Sequence, residues 1–110
     1  MASGSRPILI VPYARDTNDM KFYHPNGFAG AREFLDYLRC ALDVLLGEAE
    51  RGRTRLLNVG LHLRICGRPA RFWAVERFFE LLRQESGRLW VARRREVAEH
   101  WMKLFPAAEA

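Results

Sequence analysis

Three short apolar runs, each leading through a polar loop into an amphipathic helical pattern, constrain this chain more than any other feature. They are "PILIVPY" (7–13), "TRLLNVGLHL" (54–63) and "GRLWVA" (87–92). Continuous apolar runs bounded by turn residues read as strands buried on both faces, the kind found in parallel sheets. After the first, the loop "ARDTNDMKFYHPNGFAG" gives way to "AREFLDYLRCALDVLLGEAERG". There Phe34, Leu35, Leu38, Ala41, Leu42, Leu45 and Leu46 form a helical stripe, and Gly52 suits the helix end. After the second, the loop "RICGRPA" places Pro69 at a helix start, and Phe72, Val75, Phe78, Phe79 and Leu82 mark one face down to about Glu85. The third run leads into "RREVAEHWMKLF", with Val97, Trp101, Leu104 and Phe105 expected to point inward. The alternation predicts an α/β chain of three β/α units with parallel strands joined by helical crossovers. Trp73, Trp90 and Trp101 are most simply core or helix-packing residues.

Composition excludes several classes. With 110 residues, 49% of them hydrophobic and 12% aromatic, the chain is one foldable domain rather than a disordered segment. No apolar run approaches a membrane span, and the N-terminus lacks a secretory pattern, so a cytoplasmic protein with no membrane association is expected. Cys40 and Cys66 read as reduced thiols. The net charge of +5 is carried mostly by scattered arginines. Only "RRR" (93–95) is a block, with no interleaved aromatics to stack bases, so nucleic acid is not an expected partner. An open three-stranded parallel sheet also leaves edges that invite pairing, which points to a larger whole.

In parallel α/β folds, chemistry gathers in the loops that follow the strands. The first loop offers Asp16, Asn18 and Asp19. These residues read equally well as turn caps and as a cluster that binds substrate, orients a histidine or holds a cation. The second offers His62, Arg64 and Arg68. A lone histidine on an apolar segment is more often a core residue than a catalyst, but this one ends a strand and is followed by arginines. Neighbouring parallel strands would bring Asp19 beside His62. A carboxylate there holds one tautomer and favours the protonated ring, as a general acid requires. Arg64 and Arg68 would grip carbonyl or anionic oxygens. No companion Cys or His lies at metal-ligand spacing, so no metal site is expected. His24 and His100 are left as surface residues.

Three segments resemble the C-terminal part of the polysaccharide deacetylase family, closest to its allantoinase-like branch of purine catabolism. "VPYARDTNDMKF" is similar to that branch's Pro-Tyr and Asp-x-Asn-Asp-Met segment. "GLHLRICGRPAR" is similar to its Gly-Leu-His-x-Arg segment with the following Gly-Arg-Pro and Arg. "RLWVARRREVAEHW" resembles its closing Trp-Val strand and Ile-Ala-x-His-Trp helix. The resemblance covers residues 7–106, leaving 1–6 as an N-terminal extension and 107–110 as a tail. It implies the C-terminal part of a deformed (β/α) barrel; a typical barrel needs roughly 250 residues.

The resemblance further implies a hydrolase of non-peptide C–N bonds. His62 would be the general acid to the leaving nitrogen and Asp19 the carboxylate that orients it, with Asp16, Asn18, Arg64 and Arg68 binding substrate. Sugar deacetylases carry a Trp after this aspartate; Met20 stands here, as in the allantoinase-like branch. The substrate implied is a small amide or ureide. No cofactor is implied within this chain, although the family leaves room for a divalent metal in a full-length parent. The partner would be the missing N-terminal barrel half or further copies of the chain, which would be truncated or split and inactive alone. The alternative is a non-catalytic domain that binds a protein partner or anionic ligand through its sheet edge and Arg-rich loops.

Overall fold

The computed structural model describes residues 6–108, so the expected extension 1–6 lies almost wholly outside the described residues, as does the end of the 107–110 tail. The elements in chain order are a 3₁₀ turn (Asp19–Tyr23), α1 (Ala31–Glu50), α2 (Leu63–Cys66), α3 (Pro69–Gln84) and α4 (Arg94–Leu104). The chain divides into two compact units, one of residues 13–90 and one combining 6–12 with 91–108.

The helices of the first unit follow the sequence pattern. Phe34, Leu38, Leu42 and Leu46 recur every fourth residue along α1 and are all buried. They face Ala74, Val75 and Phe78 of α3, with Cys66 joining the same cluster. Fully burying a side chain such as Phe34 stabilises by about 1.5–3 kcal/mol relative to leaving it in water. At the N-terminus of α1 the Ala29 N–H donates to Glu33 Oε2 at 2.8 Å, which places a carboxylate in the first turn. At its C-terminus the Gly52 N–H donates to the Ala49 carbonyl and the Arg53 N–H to that of Glu48. Gly52 sits at φ 85°, the left-handed conformation that suits glycine. Pro69 opens α3 at its first turn, as its fixed φ favours.

The strands differ from expectation. Among the described residues none of 7–13, 54–63 or 87–92 forms a strand, and the only pairing is a parallel bridge between Asn18 and Gly60. Ile8, Ile10, Leu56, Trp90 and Val91 are exposed. An extended segment satisfies its N–H and C=O groups only through a neighbouring chain, and among the described residues the segment 17–19 provides one only for Asn58 and Gly60 of the second run. The second run also stops short of Leu63, which begins α2 where a polar loop was expected. Phe72 and Phe79 are exposed rather than facing the core.

In the other unit, α4 buries none of its residues. Trp101, Leu104 and Phe105, expected inward, are exposed, and the Trp101 and Phe105 rings stack on each other with centroids 4.4 Å apart. Trp90 likewise fails the core assignment, whereas Trp73 is half-buried against the first unit's core. The Arg93 N–H donates to Glu96 Oε2 at 2.6 Å, capping α4, and Arg94 donates to the Val11 carbonyl.

Candidate active site

The bridge between Asn18 and Gly60 sets the geometry of the site. The Asp19 N–H donates to the Gly60 carbonyl at 3.0 Å, and the Gly60 N–H to that of Thr17 at 2.9 Å. The Thr17 hydroxyl donates to the Asn58 carbonyl at 2.6 Å, adding a side-chain rung. Gly60 is required by close approach, because a Cβ there would lie 2.2 Å from Asn18 Nδ2 and 2.8 Å from its Cγ. Asn18 is itself committed, since its Oδ1 accepts the Met20 N–H at 2.9 Å and caps the 3₁₀ turn. This register places Asp19, at the start of that turn, against His62, at the N-cap of α2.

Asp19 is fully buried and both its oxygens serve His62. Oδ2 accepts the His62 backbone N–H at 2.6 Å, and Oδ1 lies 2.6 Å from His62 Nδ1. An ionised carboxylate only accepts, so Nδ1 carries the proton of that bond. The ring is gripped at one nitrogen and at its own main chain, while Nε2 occupies the opposite edge of the imidazole. With 41% of its side chain exposed, the ring can meet a ligand there. An oriented imidazole anchored at one nitrogen on a partly exposed ring is an arrangement suited to proton transfer.

Cys66, one helical turn after His62, is buried, and its N–H donates to the His62 carbonyl at 2.9 Å. Burial, reinforced by the charge of Asp19 and a hydrogen bond to it, pushes the thiol up to about 12. It stays a neutral donor, neither a nucleophile nor a thiolate ligand. Among the described residues no three His, Cys, Asp or Glu side chains group so as to hold a metal ion. The residues present therefore do not fit a metal centre of their own.

The other expected binding residues are dispersed. Arg64 is exposed, with a guanidinium nitrogen 3.9 Å from the Met20 sulfur, so those two side chains meet beside the Asp19–His62 pair. Arg68 is exposed at the N-cap of α3. Asp16 is exposed and its Oδ2 accepts the Tyr37 hydroxyl at 2.9 Å, which holds its carboxyl below the usual range. No contact among the described residues joins Asp16 or Arg68 to His62. Two residues received no role from the sequence: Cys66, read only as a reduced thiol, and Arg71 in the first turn of α3, which entered only as the last residue of the segment 60–71. Treating 63–66 as helical would have placed Cys66 at i+4 from His62.

No protein-family model matches the sequence. The chain is 37% identical over 105 residues to a Schizosaccharomyces pombe protein described as "Putative polysaccharide deacetylase", covering 96% of this chain and 32% of that one. It is similar in structure to a probable polysaccharide deacetylase from Pseudomonas aeruginosa PAO1, with a TM-score of 0.82 and 41% identity. It is also similar to PuuE allantoinase, with a TM-score of 0.80 and 40% identity. Each of these structural matches covers 89% of this chain and 32% of the other. The chain thus spans about a third of the length of its relatives.

Proposed function

We propose, from the premise that this chain is a homologue of polysaccharide deacetylase and allantoinase proteins over nearly its whole length, that it supplies the acid-bearing third of a C–N hydrolase. The observation that carries this reading is the double grip of buried Asp19 on His62. In amide hydrolysis water adds to the carbonyl carbon, the oxygen takes up negative charge, and the C–N bond then breaks. The nitrogen must gain a proton as it leaves. His62 Nε2 is the donor in this reading, and Asp19 orients the ring and balances the charge of its protonated form. Arg64 lies in α2 and Arg68 at the N-cap of α3, both after His62, and in this reading their guanidinium groups would hold carbonyl or anionic oxygens. Met20, rather than a bulky aromatic, follows Asp19 and meets Arg64 with its sulfur, a position that favours a small ureide or cyclic amide in this reading.

Among the described residues no carboxylate or imidazole besides Asp19 is bonded to His62, so in this reading the base that activates water would come from the part of the relatives that this chain does not span. The apolar runs 7–13, 54–59 and 87–92 support the same reading, since Ile8, Ile10, Leu56, Trp90 and Val91 stay exposed while only Leu57, Val59 and Leu89 pack against the core, as strands of a (β/α) barrel would without their ladder partners. No helix among the described residues is long and apolar enough to cross a membrane, in keeping with a cytoplasmic setting.

The test is a chimera in which this chain replaces the matching third of PuuE allantoinase, assayed for opening of the allantoin ring. His62→Ala should lower kcat by about 10²–10⁴-fold with unchanged circular dichroism. Turnover that survives His62→Ala in an active chimera excludes the assignment.

A further inference from the structure

Arg71 is a cation held on an aromatic platform, with no Asp or Glu among the described residues within ion-pair distance. Its guanidinium carbon lies 4.8 Å from the centre of the Phe22 ring and 5.6 Å from that of Tyr23. The platform is rigid, because Phe22 packs edge-on against Phe28 and Phe34 with centroids 5.6 and 5.4 Å away, and Phe34 is fully buried. The side chain is half-buried, yet no Asp or Glu among the described residues pairs with it. The surface arginines 55, 77, 88, 93 and 95 all have carboxylate partners. Cation–π contact compensates part of the cost of desolvating a guanidinium but leaves its N–H fork unsatisfied toward an incoming anion.

Its position joins it to the site. Phe22 and Tyr23 belong to the 3₁₀ turn that Asp19 begins. The charge of Arg71 also reaches the Cys66 thiol, which is bonded to Asp19. Hydrolysis of any amide, cyclic or acyl, releases a carboxylate on the former carbonyl carbon. We infer that Arg71 is a carboxylate-binding residue of this site that takes the carboxylate released on C–N hydrolysis, an inference that rests on the function proposed above.

Two experiments separate the sources of that carboxylate. In the first, the chain alone is titrated with sodium acetate against sodium chloride of equal ionic strength, following the Arg71 Nε–H resonance. A saturable shift with acetate only, absent in Arg71→Gln, is expected; a signal indifferent to acetate overturns the inference. In the second, the active allantoinase chimera carries Arg71→Gln or Arg71→Lys. Arg71→Gln should weaken inhibition by the ring-opened carboxylate product about tenfold, with partial rescue in Arg71→Lys. A lowered melting temperature with unchanged product inhibition overturns the inference and assigns Arg71 to a carboxylate side chain of the surrounding protein instead. Failure of the broader hydrolase reading is distinguishable, since it is His62→Ala that would then leave turnover intact.

Discussion

Helices α1 and α3 and the extended run 54–59 have similar apolar content, yet they end in different environments. Leu38 and Leu42 of α1 are buried, while Leu56 is 52% exposed. A helix closes its hydrogen bonds within itself, so two helices suffice to bury one stripe against another. A strand borrows its hydrogen bonds from a neighbour and buries both faces only when sheet and helices surround it. The helical layer is therefore self-sufficient within this chain, whereas the extended runs carry a composition whose use depends on further protein.

The sharpest way to break this contrast is to truncate one residue on each side. Phe34→Ala should cost about 3–5 kcal/mol in chemical denaturation, whereas Leu56→Ser should change stability by no more than about 0.5 kcal/mol. Comparable losses at both positions would mean that the extended run is packed after all. Gly60→Ala tests the one point where extended segments do pair. The added methyl forces Asn18 from its cap, and a loss of about 1–3 kcal/mol is expected. The same variant should weaken protection of the His62 amide in hydrogen exchange, because the bridge positions Asp19.

The smallest effect concerns Cys66. Its folded thiol titrates at about 12 against 9.0 as the ordinary value. The folded state therefore binds more protons than the unfolded state between these limits. Stability is fully retained below pH 9.0 and should decline as pH rises toward 12. Cys66→Ala should flatten that part of the pH–stability curve. In an alkylation assay of the native chain, exposed Cys40 should react while Cys66 reacts only on unfolding.

Much of the site was legible because it rests on local signals. A carboxylate at the end of one apolar run and a histidine at the end of another imply adjacency wherever the runs align in parallel, and Asp19 and His62 do meet. The Asx ambiguity divided by residue: Asn18 caps a turn, Asp16 binds Tyr37, and Asp19 alone reaches the histidine. The contacts of Cys66 and Arg71 were not legible, although both residues stand in the segment 60–71, because one depends on a short helix written as "LRIC" and the other on an aromatic platform formed by residues nearly fifty positions away.

What the sequence determined by itself was helices α1, α3 and α4, the buried stripe of α1 and part of that of α3, the Gly52 and Pro69 boundaries and the residues able to move a proton. These follow from periodicity and backbone preferences acting over a few residues. Tertiary structure alone decided how Asp19 grips the histidine at both ring and main chain, that Asn18 and Gly60 must touch, that the apolar runs form no strand among the described residues and that α4 buries none of its residues. Each of those outcomes depends on contacts between segments far apart in the chain, and no local pattern encodes whether the partner segment is within reach.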